Sequence, residues 1–336
     1  IDACYFETGI FLSIYSGAKE INFEEYLKRL LSENKITEEN VDILFALSNA
    51  CVNISDIITH NGISKKKIDE KLESKNSDGD NQKRLDVIAN EIILENLQKT
   101  SIYAYLSEEN ENPIFINNNG KSILTCDPLD GSSNIDNNAT IGTIFSIFDK
   151  KDSLLQKGKY QKVAGFFSYG PQTTLLISFG YGTIGFCKDK YNVFHKLDWN
   201  IIIPNSTNEY SINSSNEKYW PQNVKNYVKE LCLGKDGLRK KDYNMRWTGS
   251  LVADAWRIFK RGGVFLYTED NRNGYENGRL RLLYEAFPIS FLVDQCGGKA
   301  INGDINILDL KPDNIHQRVP LIFGSSEEVD HYKLKK

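Results

Sequence analysis

The sequence predicts a layered α/β or α+β fold made of two domains, and three observations support this prediction. The chain has 336 residues, which is more than a single hydrophobic core usually holds. Segments with helical and strand-like apolar spacing alternate along it. A polar, turn-rich stretch begins near Pro204. We therefore predict one domain over residues 1–204 and a second over residues 205–336.

The first half is predicted to place helices before strands. Apolar side chains at helical spacing predict helices over 41–59 and 85–99. Residues 60–84, between them, are polar and rich in turn-forming residues, which predicts a mobile loop. Runs of β-branched and aromatic residues then predict strands at 102–106, 122–126, 142–148, 163–169, 173–179 and 181–187.

The second half alternates between the two element types. Helical spacing predicts helices over 221–232, 250–261 and 279–295. Short apolar runs predict strands at 264–267 and 320–323. Because strands and helices are mixed throughout, we expect sheets covered by helices in both halves.

Composition excludes several classes of function. With 40% hydrophobic and 26% charged residues, the chain has the make-up of a soluble globular protein, and its net charge of -4 argues against nucleic-acid binding. The apolar runs are too short to predict a membrane span, and the first residues do not resemble a signal peptide. The six cysteines lack metal-ligand spacing. We therefore expect reduced thiols and a cytoplasmic location.

The most informative segment is acidic. Asp127 and Asp130 stand three residues apart around Pro128, which prevents a regular helix there. The strand predicted at 122–126 ends just before them, so both carboxylates are expected in a turn that ends at Gly131. Two convergent carboxylates of this kind suit a hard cation such as Mg²⁺.

The residues after this turn suggest a phosphate site. Ser132, Ser133 and Asn134 can begin a helix whose free N–H groups would face an anion. Metal carboxylates beside a phosphate cradle are what metal-assisted phosphoryl hydrolysis requires. The short string D-P-x-D-G taken alone, however, favours an ordinary surface turn.

The longer string D-P-L-D-G-S-S-N-I-D at 127–136 resembles the signature of the lithium-sensitive, magnesium-dependent phosphatases. Further ordered matches narrow the resemblance to the fructose-1,6-bisphosphatases. They lie at 85–87, 107–109, 142–145, 210–213, 249–254, 262–267, 278–285 and 316–318. This family implies a layered α-β-α-β-α sandwich.

The resemblance also implies the metal ligands. They are the side chains of Glu108, Asp127, Asp130 and Glu285 and the carbonyl of Leu129, while Asp80 is implied to engage a further metal when its loop closes. Two or three Mg²⁺ ions per active site are implied, with Mn²⁺ able to substitute.

The remaining site residues follow from the same resemblance. Asp86 and Glu109 are implied to take the proton from the attacking water. Gly131, Ser132 and Ser133 resemble the family's cradle for the 1-phosphate. The residues that resemble its pocket for the sugar and the 6-phosphate are Asn213, Arg246, Tyr267, Arg279 and Arg281. The counterpart of Arg246 reaches in from a neighbouring subunit, which implies a homotetramer.

The expected reaction is hydrolysis of the 1-phosphate of fructose 1,6-bisphosphate to fructose 6-phosphate, as in gluconeogenesis. A sedoheptulose-1,7-bisphosphatase, a monophosphatase of the same superfamily and a non-catalytic sugar-phosphate sensor are the alternatives. Asn216 and Trp247 stand where the family often has Tyr, and Arg279 where it often has Lys. Ser122 and Asp149 replace residues of the family's AMP site, so we expect weak or absent inhibition by AMP.

Overall fold

The computed structural model describes residues 21–60 and 81–335. The predicted metal ligand Asp80 lies outside these residues, and so does most of the loop predicted over 60–84. His60 is the last residue of a helix, and residues 81–84 begin the next one, so the predicted loop is too long at both ends.

Within residues 21–60 and 81–335, three helices precede the first strand. They are α1 (Phe23–Ser32), α2 (Glu38–His60) and α3 (Asn81–Leu97), and the last two confirm the predicted helices. Asn22 begins α1 with a capping box, because its side chain accepts from Glu25 N–H and the Glu25 carboxylate accepts in return. By length and composition α2 is apolar enough to span a membrane, but half of its apolar window is buried inside the protein. A core helix passes the same test, and α2 is packed as one.

The largest sheet has eight strands. In chain order these are β1 (Ala104–Ser107), β2 (Ile114–Phe115), β3 (Ser122–Asp130), β4 (Ile141–Asp149), β5 (Gln161–Tyr169), β6 (Thr173–Ser178), β7 (Thr183–Lys188) and β8 (Phe194–Lys196). Their spatial order is β2-β1-β3-β4-β5-β6-β7-β8. Only β1 and β3 run parallel among these pairs.

The second half forms smaller sheets and four helices. Its elements are β9 (Glu209–Ser211), α4 (Gln222–Leu233), β10 (Asn244–Met245), α5 (Leu251–Arg261), β11 (Val264–Tyr267), β12 (Leu280–Arg281), α6 (Phe287–Asp294), β13 (Lys299–Ile301), β14 (Arg318–Val319), β15 (Leu321–Gly324) and α7 (Ser326–Lys333). A five-stranded sheet has the order β10-β9-β11-β15-β13, and β12 pairs with β14.

Three main hydrophobic cores hold five layers together, and the second of them fills both sides of the middle helical layer. The helices α1 to α3 cover one face of the large sheet, where Phe167 is buried. Its neighbour Phe166 points to the opposite face and packs with Phe259 of α5, because successive side chains of a strand alternate. A third core, which includes Tyr227 and Tyr332, lies between the five-stranded sheet and helices α4 and α7. This arrangement confirms the expected α-β-α-β-α sandwich.

Two local predictions were wrong. The strand predicted to end at Cys126 runs on to Asp130, because its register with β4 shifts between Asp127 and Asp130 and so accommodates the proline. The single helix predicted over 279–295 is instead β12, one π-helical turn (Leu282–Ala286) and α6. Pairing of β12 with β14 holds the first of these residues extended, and the helical spacing of the apolar residues did not reveal that partner.

Candidate active site

The site begins where two neighbouring parallel strands end. Ser107 of β1 lies opposite Cys126 of β3, and the N–H of Glu108 donates to the carbonyl of Cys126 over 3.0 Å. Glu108 and Asp127 therefore emerge side by side at the carboxyl end of this pair. That edge of a sheet is where ligand sites commonly form.

A bulge in β3 sets the direction of its acidic side chains. The Asp127 carboxylate accepts a hydrogen bond from Leu129 N–H over 3.0 Å. The carbonyl of Pro128 accepts from the Thr143 hydroxyl over 2.8 Å, and Tyr169 bonds the same hydroxyl over 2.7 Å. These contacts fix the proline in the strand, so the residues on either side of it can bring their carboxylates together.

Asp127, Asp130 and Glu285 form a buried acidic cluster. One carboxylate oxygen from each lies within 4.8 Å of the others, and the exposed fractions of the three residues are 6%, 7% and 7%. Glu285 comes from the π-helical turn and is held there by Arg281 N–H, which donates to it over 2.5 Å. Three of the four predicted side-chain ligands are thus brought together by elements distant in the chain.

Burial dominates the electrostatics of the cluster. It raises the pKa of Asp127 and of Glu285 well above their ordinary values, and neighbouring carboxylates, Glu108 first among them, raise both further. Burial also raises the pKa of Asp130, but only to about 7. Two donors limit that rise, because Val252 N–H lies 2.9 Å and the Ser250 hydroxyl 3.3 Å from its carboxylate.

These residues fit a divalent cation. The cluster offers only oxygen donors, which are the ligands that Mg²⁺ and Mn²⁺ prefer. Buried carboxylates in such proximity repel one another, and a bound cation would remove that repulsion. Glu108 lies at the edge of the cluster, with its carboxylate 3.2 Å from Arg281 Nε. The Leu129 backbone lies in the bulge between the two aspartates.

Asp86 and Glu109 lie near each other and near Glu108. Burial first, and then the charges of Glu109 and Glu108, raise the pKa of Asp86 to about 7, although a hydrogen bond with Ser132 partly opposes them. Burial likewise raises the pKa of Glu109, followed by the Glu108 charge. The predicted proton-accepting pair is therefore close together and close to a predicted phosphate-cradle residue.

The predicted cradle is a tight turn. Gly131 has φ of 75°, and a Cβ there would lie 3.0 Å from the Ser250 Cβ. Both facts favour glycine. Ser132, Ser133 and Asn134 form a single 3-10 turn instead of the start of a longer helix. The Asn134 amide donates to the carbonyl of Gly249 over 3.0 Å, which ties the turn to the second half of the chain.

The predicted sugar pocket is partly assembled. The Arg279 guanidinium lies 5.6 Å from the Tyr267 ring centre and 4.5 Å from that of Tyr275. Burial raises the pKa of Tyr267, and the charge of Glu285 also raises it, which places this ring near the acidic cluster. Arg281 donates to the carbonyl of His316 over 2.9 Å in addition to its pair with Glu108.

Two predicted pocket residues, Asn213 and Arg246, contact residues outside this group. Asn213 caps a short 3-10 helix, where its side chain accepts from Ser215 N–H. Arg246 follows the edge strand β10, its side chain is 53% exposed, and its Nε lies 3.9 Å from Glu209. Its exposure at a sheet edge is compatible with the predicted contact to a neighbouring subunit.

The sequence reasoning missed the residues that support the ligands. Ser250 and Val252 contact Asp130, and both lie at the start of α5. The Ser250 hydroxyl also accepts from Ala253 N–H, so it caps that helix. A serine after Gly249 and before an apolar helix was a readable capping signal, but nothing in the sequence indicated that Asp130 would share it.

Sequence comparisons found matching family models and similar proteins. Family models for the N-terminal and C-terminal domains of fructose-1-6-bisphosphatase match residues 25–195 and 203–335. The chain is 47% identical over 294 residues to a class 1 fructose-1,6-bisphosphatase of Azorhizobium caulinodans, covering 85% of this chain and 90% of that protein. It is 41% identical over 312 residues to a class 1 enzyme of Neisseria meningitidis serogroup B, covering 90% and 95%.

A solved structure is also similar. The holo form of Leishmania major fructose-1,6-bisphosphatase superposes with a TM-score of 0.83 at 30% sequence identity. The match covers 95% of this chain and 99% of that one.

Proposed function

This chain belongs to the class 1 fructose-1,6-bisphosphatases and hydrolyses fructose 1,6-bisphosphate to fructose 6-phosphate and phosphate, and we propose that it does so at the buried acidic cluster with magnesium. The convergence of Asp127, Asp130 and Glu285 within 4.8 Å is the observation on which the proposal rests. Burying three carboxylates so close together is costly unless a cation neutralises their charge.

The proposed ligands are Asp127, Asp130, Glu285 and Glu108 with the Leu129 carbonyl, and Asp80 for a further ion. Divalent ions bound there supply a water of lowered pKa and neutralise charge on the phosphoryl oxygens. The protein's own contribution is the fixed geometry of these oxygens. Asp130 is held by Val252 N–H and the Ser250 hydroxyl, and Glu285 by Arg281 N–H.

Asp86 and Glu109 are proposed to accept the proton of the attacking water. The pKa of Asp86 is raised to about 7, so near neutral pH it can take up a proton and release it again. Glu109 keeps that pKa high, because its charge is the largest electrostatic contribution after burial. Ser132 contacts Asp86, which connects the proton acceptor with the proposed cradle of the 1-phosphate, formed with Gly131 and Ser133.

Cationic and aromatic side chains are proposed to hold the sugar and its 6-phosphate. Arg279 and Tyr267 lie together near Glu285, and Asn213 adds an amide. A guanidinium matches a phosphate bidentately, so Arg279 is the main candidate for the distal phosphate. Arg246 is proposed to complete the pocket of a neighbouring subunit in a homotetramer. We place the enzyme in the cytoplasm, in gluconeogenesis.

Phosphate release tests the proposal. The purified protein should release phosphate from fructose 1,6-bisphosphate with added Mg²⁺, lose that activity in EDTA and regain it on resupply of Mg²⁺ or Mn²⁺. The variant Glu285→Gln removes one charge from the cluster while keeping its shape, and should lose activity. Asp136→Asn, at an exposed position beside the same turn, is the matched control and should remain active. Full activity of Glu285→Gln would overturn the assignment of the site.

A further inference from the structure

A second cavity lies away from the acidic cluster, between the large sheet and α5. It has a volume of about 250 Å³ and is lined by the β5–β6 hairpin, residues just before β4, and one side of α5. The described residues of the proposed active site do not line it. It therefore needs an explanation of its own.

Small residues in one cross-strand row create this cavity. Asp130, Gly142, Ser168 and Thr174 lie directly opposite one another on four consecutive strands, β3 to β6. Gly142 is covered by Val252, since a Cβ there would lie 2.9 Å from its methyl groups. The next two residues of the row, Ser168 and Thr174, line the cavity opposite Ala253 and Trp256 of α5. The small side chains of the sheet wall, and Ala253 on the α5 wall beside the larger Trp256, leave the space unfilled.

The cavity walls carry polar groups without partners. Ser168 and Thr174 are only 5% and 4% exposed, yet neither hydroxyl makes a hydrogen bond to any residue within 21–60 or 81–335. The side chains of Thr140 and Gln172 also have no hydrogen-bond partner in that part of the chain. Thr140 is half-buried and Gln172 is exposed, and the polar atoms of all four side chains remain open to the cavity. A ligand with several donors and acceptors can therefore form hydrogen bonds with them.

The rest of the lining defines the chemistry of that ligand. Trp256 supplies an aromatic wall, supported by the edge of Trp199 at 5.6 Å between ring centres. Among the described residues no charged side chain lines the cavity, so a phosphate would find no cation there to meet it. A monosaccharide ring has apolar C–H faces and hydroxyls at its edge, and so suits an indole surrounded by hydroxyls and an amide. The volume equals roughly eight water molecules, which suits a single small ring.

We propose that this cavity is a binding site for an uncharged monosaccharide or polyol and that its occupancy is coupled to the metal site. The coupling element is the first turn of α5. Val252 N–H donates to Asp130 over 2.9 Å, and the next residue, Ala253, forms a wall of the cavity. Ser168 stands two strands from Asp130, or about 10 Å. A ligand that displaces α5 changes the donors of Asp130 and hence its affinity for the cation.

Saturation-transfer NMR with D-glucose tests the binding. We expect saturation transfer from the wild-type protein to glucose. This transfer should fall by about five-fold or more in the double variant Ser168→Ala/Thr174→Val, which removes two hydroxyls from the cavity. Thr173→Val is the matched control. Thr173 lies on the opposite face of β6, where its hydroxyl bonds Ser55 over 2.7 Å. This control should bind glucose as the wild type does.

Calorimetry tests the coupling without relying on turnover. The dissociation constant of Mg²⁺ should change by about five-fold when glucose is present, in the wild type and in Thr173→Val but not in the double variant. Absence of saturation transfer from the wild type would overturn the proposal. So would transfer that persists unchanged in the double variant, or glucose binding that leaves the Mg²⁺ affinity unaltered. None of these outcomes depends on whether fructose 1,6-bisphosphate is hydrolysed.

Discussion

Removing one charge from the acidic cluster should stabilise the metal-free protein while abolishing its function. In Asp127→Asn the side chain keeps its shape, and its remaining oxygen still accepts from Leu129 N–H. The new amide can donate to a neighbouring carboxylate, which a second carboxylate cannot do. The substitution therefore isolates the effect of charge from that of packing.

The expected gain in stability of the metal-free variant follows from the geometry of the cluster. Two charges separated by the 4.8 Å limit of this cluster repel by about 3.5 kcal/mol at an effective dielectric constant of about 20. Partial protonation in the metal-free state already relieves part of this repulsion, because burial and neighbouring charges raise the pKa of Asp127. A gain of about 2 kcal/mol is expected, or about 3 °C in melting temperature for a chain of this length.

Thermal unfolding in EDTA and in Mg²⁺ measures both consequences. In EDTA at pH 8, Asp127→Asn should melt above the wild type. Saturating Mg²⁺ should raise the wild-type melting temperature by several degrees and leave the variant nearly unchanged, because only the wild type retains the full site. Asp136→Asn should match the wild type in both conditions. A variant that is less stable than the wild type in EDTA, or that gains equally from Mg²⁺, would refute the electrostatic reasoning.

Four further outcomes are expected. Gly131→Ala forces a side chain into a left-handed conformation beside Ser250, so it should lose at least about 1 kcal/mol of stability in urea unfolding and most of its activity. Glu108→Gln should keep its fold by circular dichroism but raise the Mg²⁺ concentration needed for half-maximal phosphate release by at least about ten-fold. Burial holds the folded pKa of Asp130 at about 7 against an ordinary 3.8, so the native state binds the proton more tightly and the melting temperature in EDTA should fall as pH rises from 4 to 7. The negative charge of Asp149, which stands where the family resemblance implies a residue of the AMP site, would repel a nucleotide phosphate, so ~1 mM AMP should leave the rate nearly unchanged, whereas Asp149→Arg should make the enzyme more sensitive to AMP.

The sequence revealed the chemistry of the site better than its local structure. Its acidic string identified Asp127 and Asp130 as convergent, because a proline and a glycine restrict the backbone around them. It did not reveal that the strand continues through Pro128. That continuation depends on the hydroxyl of Thr143 and on the register with β4, both of which are distant in the chain.

Glu285 illustrates a second limit. The apolar spacing over 279–295 is helical, and most of the segment does form helical turns, but its first residues pair with β14. The transition through a π-helical turn brings Glu285 to the cluster, and its geometry follows from tertiary pairing that no local pattern encodes. Only the resemblance to a known family identified this ligand. The donors of Asp130 at the start of α5 were missed for the same reason.

The unequal support of the three buried carboxylates has a consequence for metal binding. Asp130 accepts from both Val252 N–H and the Ser250 hydroxyl, and its pKa rises only to about 7. Asp127 and Glu285 each accept one backbone N–H, and the pKa of each rises further. In the metal-free protein Asp130 is therefore the most readily ionised of the three carboxylates. Because the raised pKa values favour protons that a cation would have to replace, the protein's affinity for a divalent ion should rise with pH. The start of α5 supplies the donors that keep Asp130 ionisable, so a change at α5 should alter that affinity.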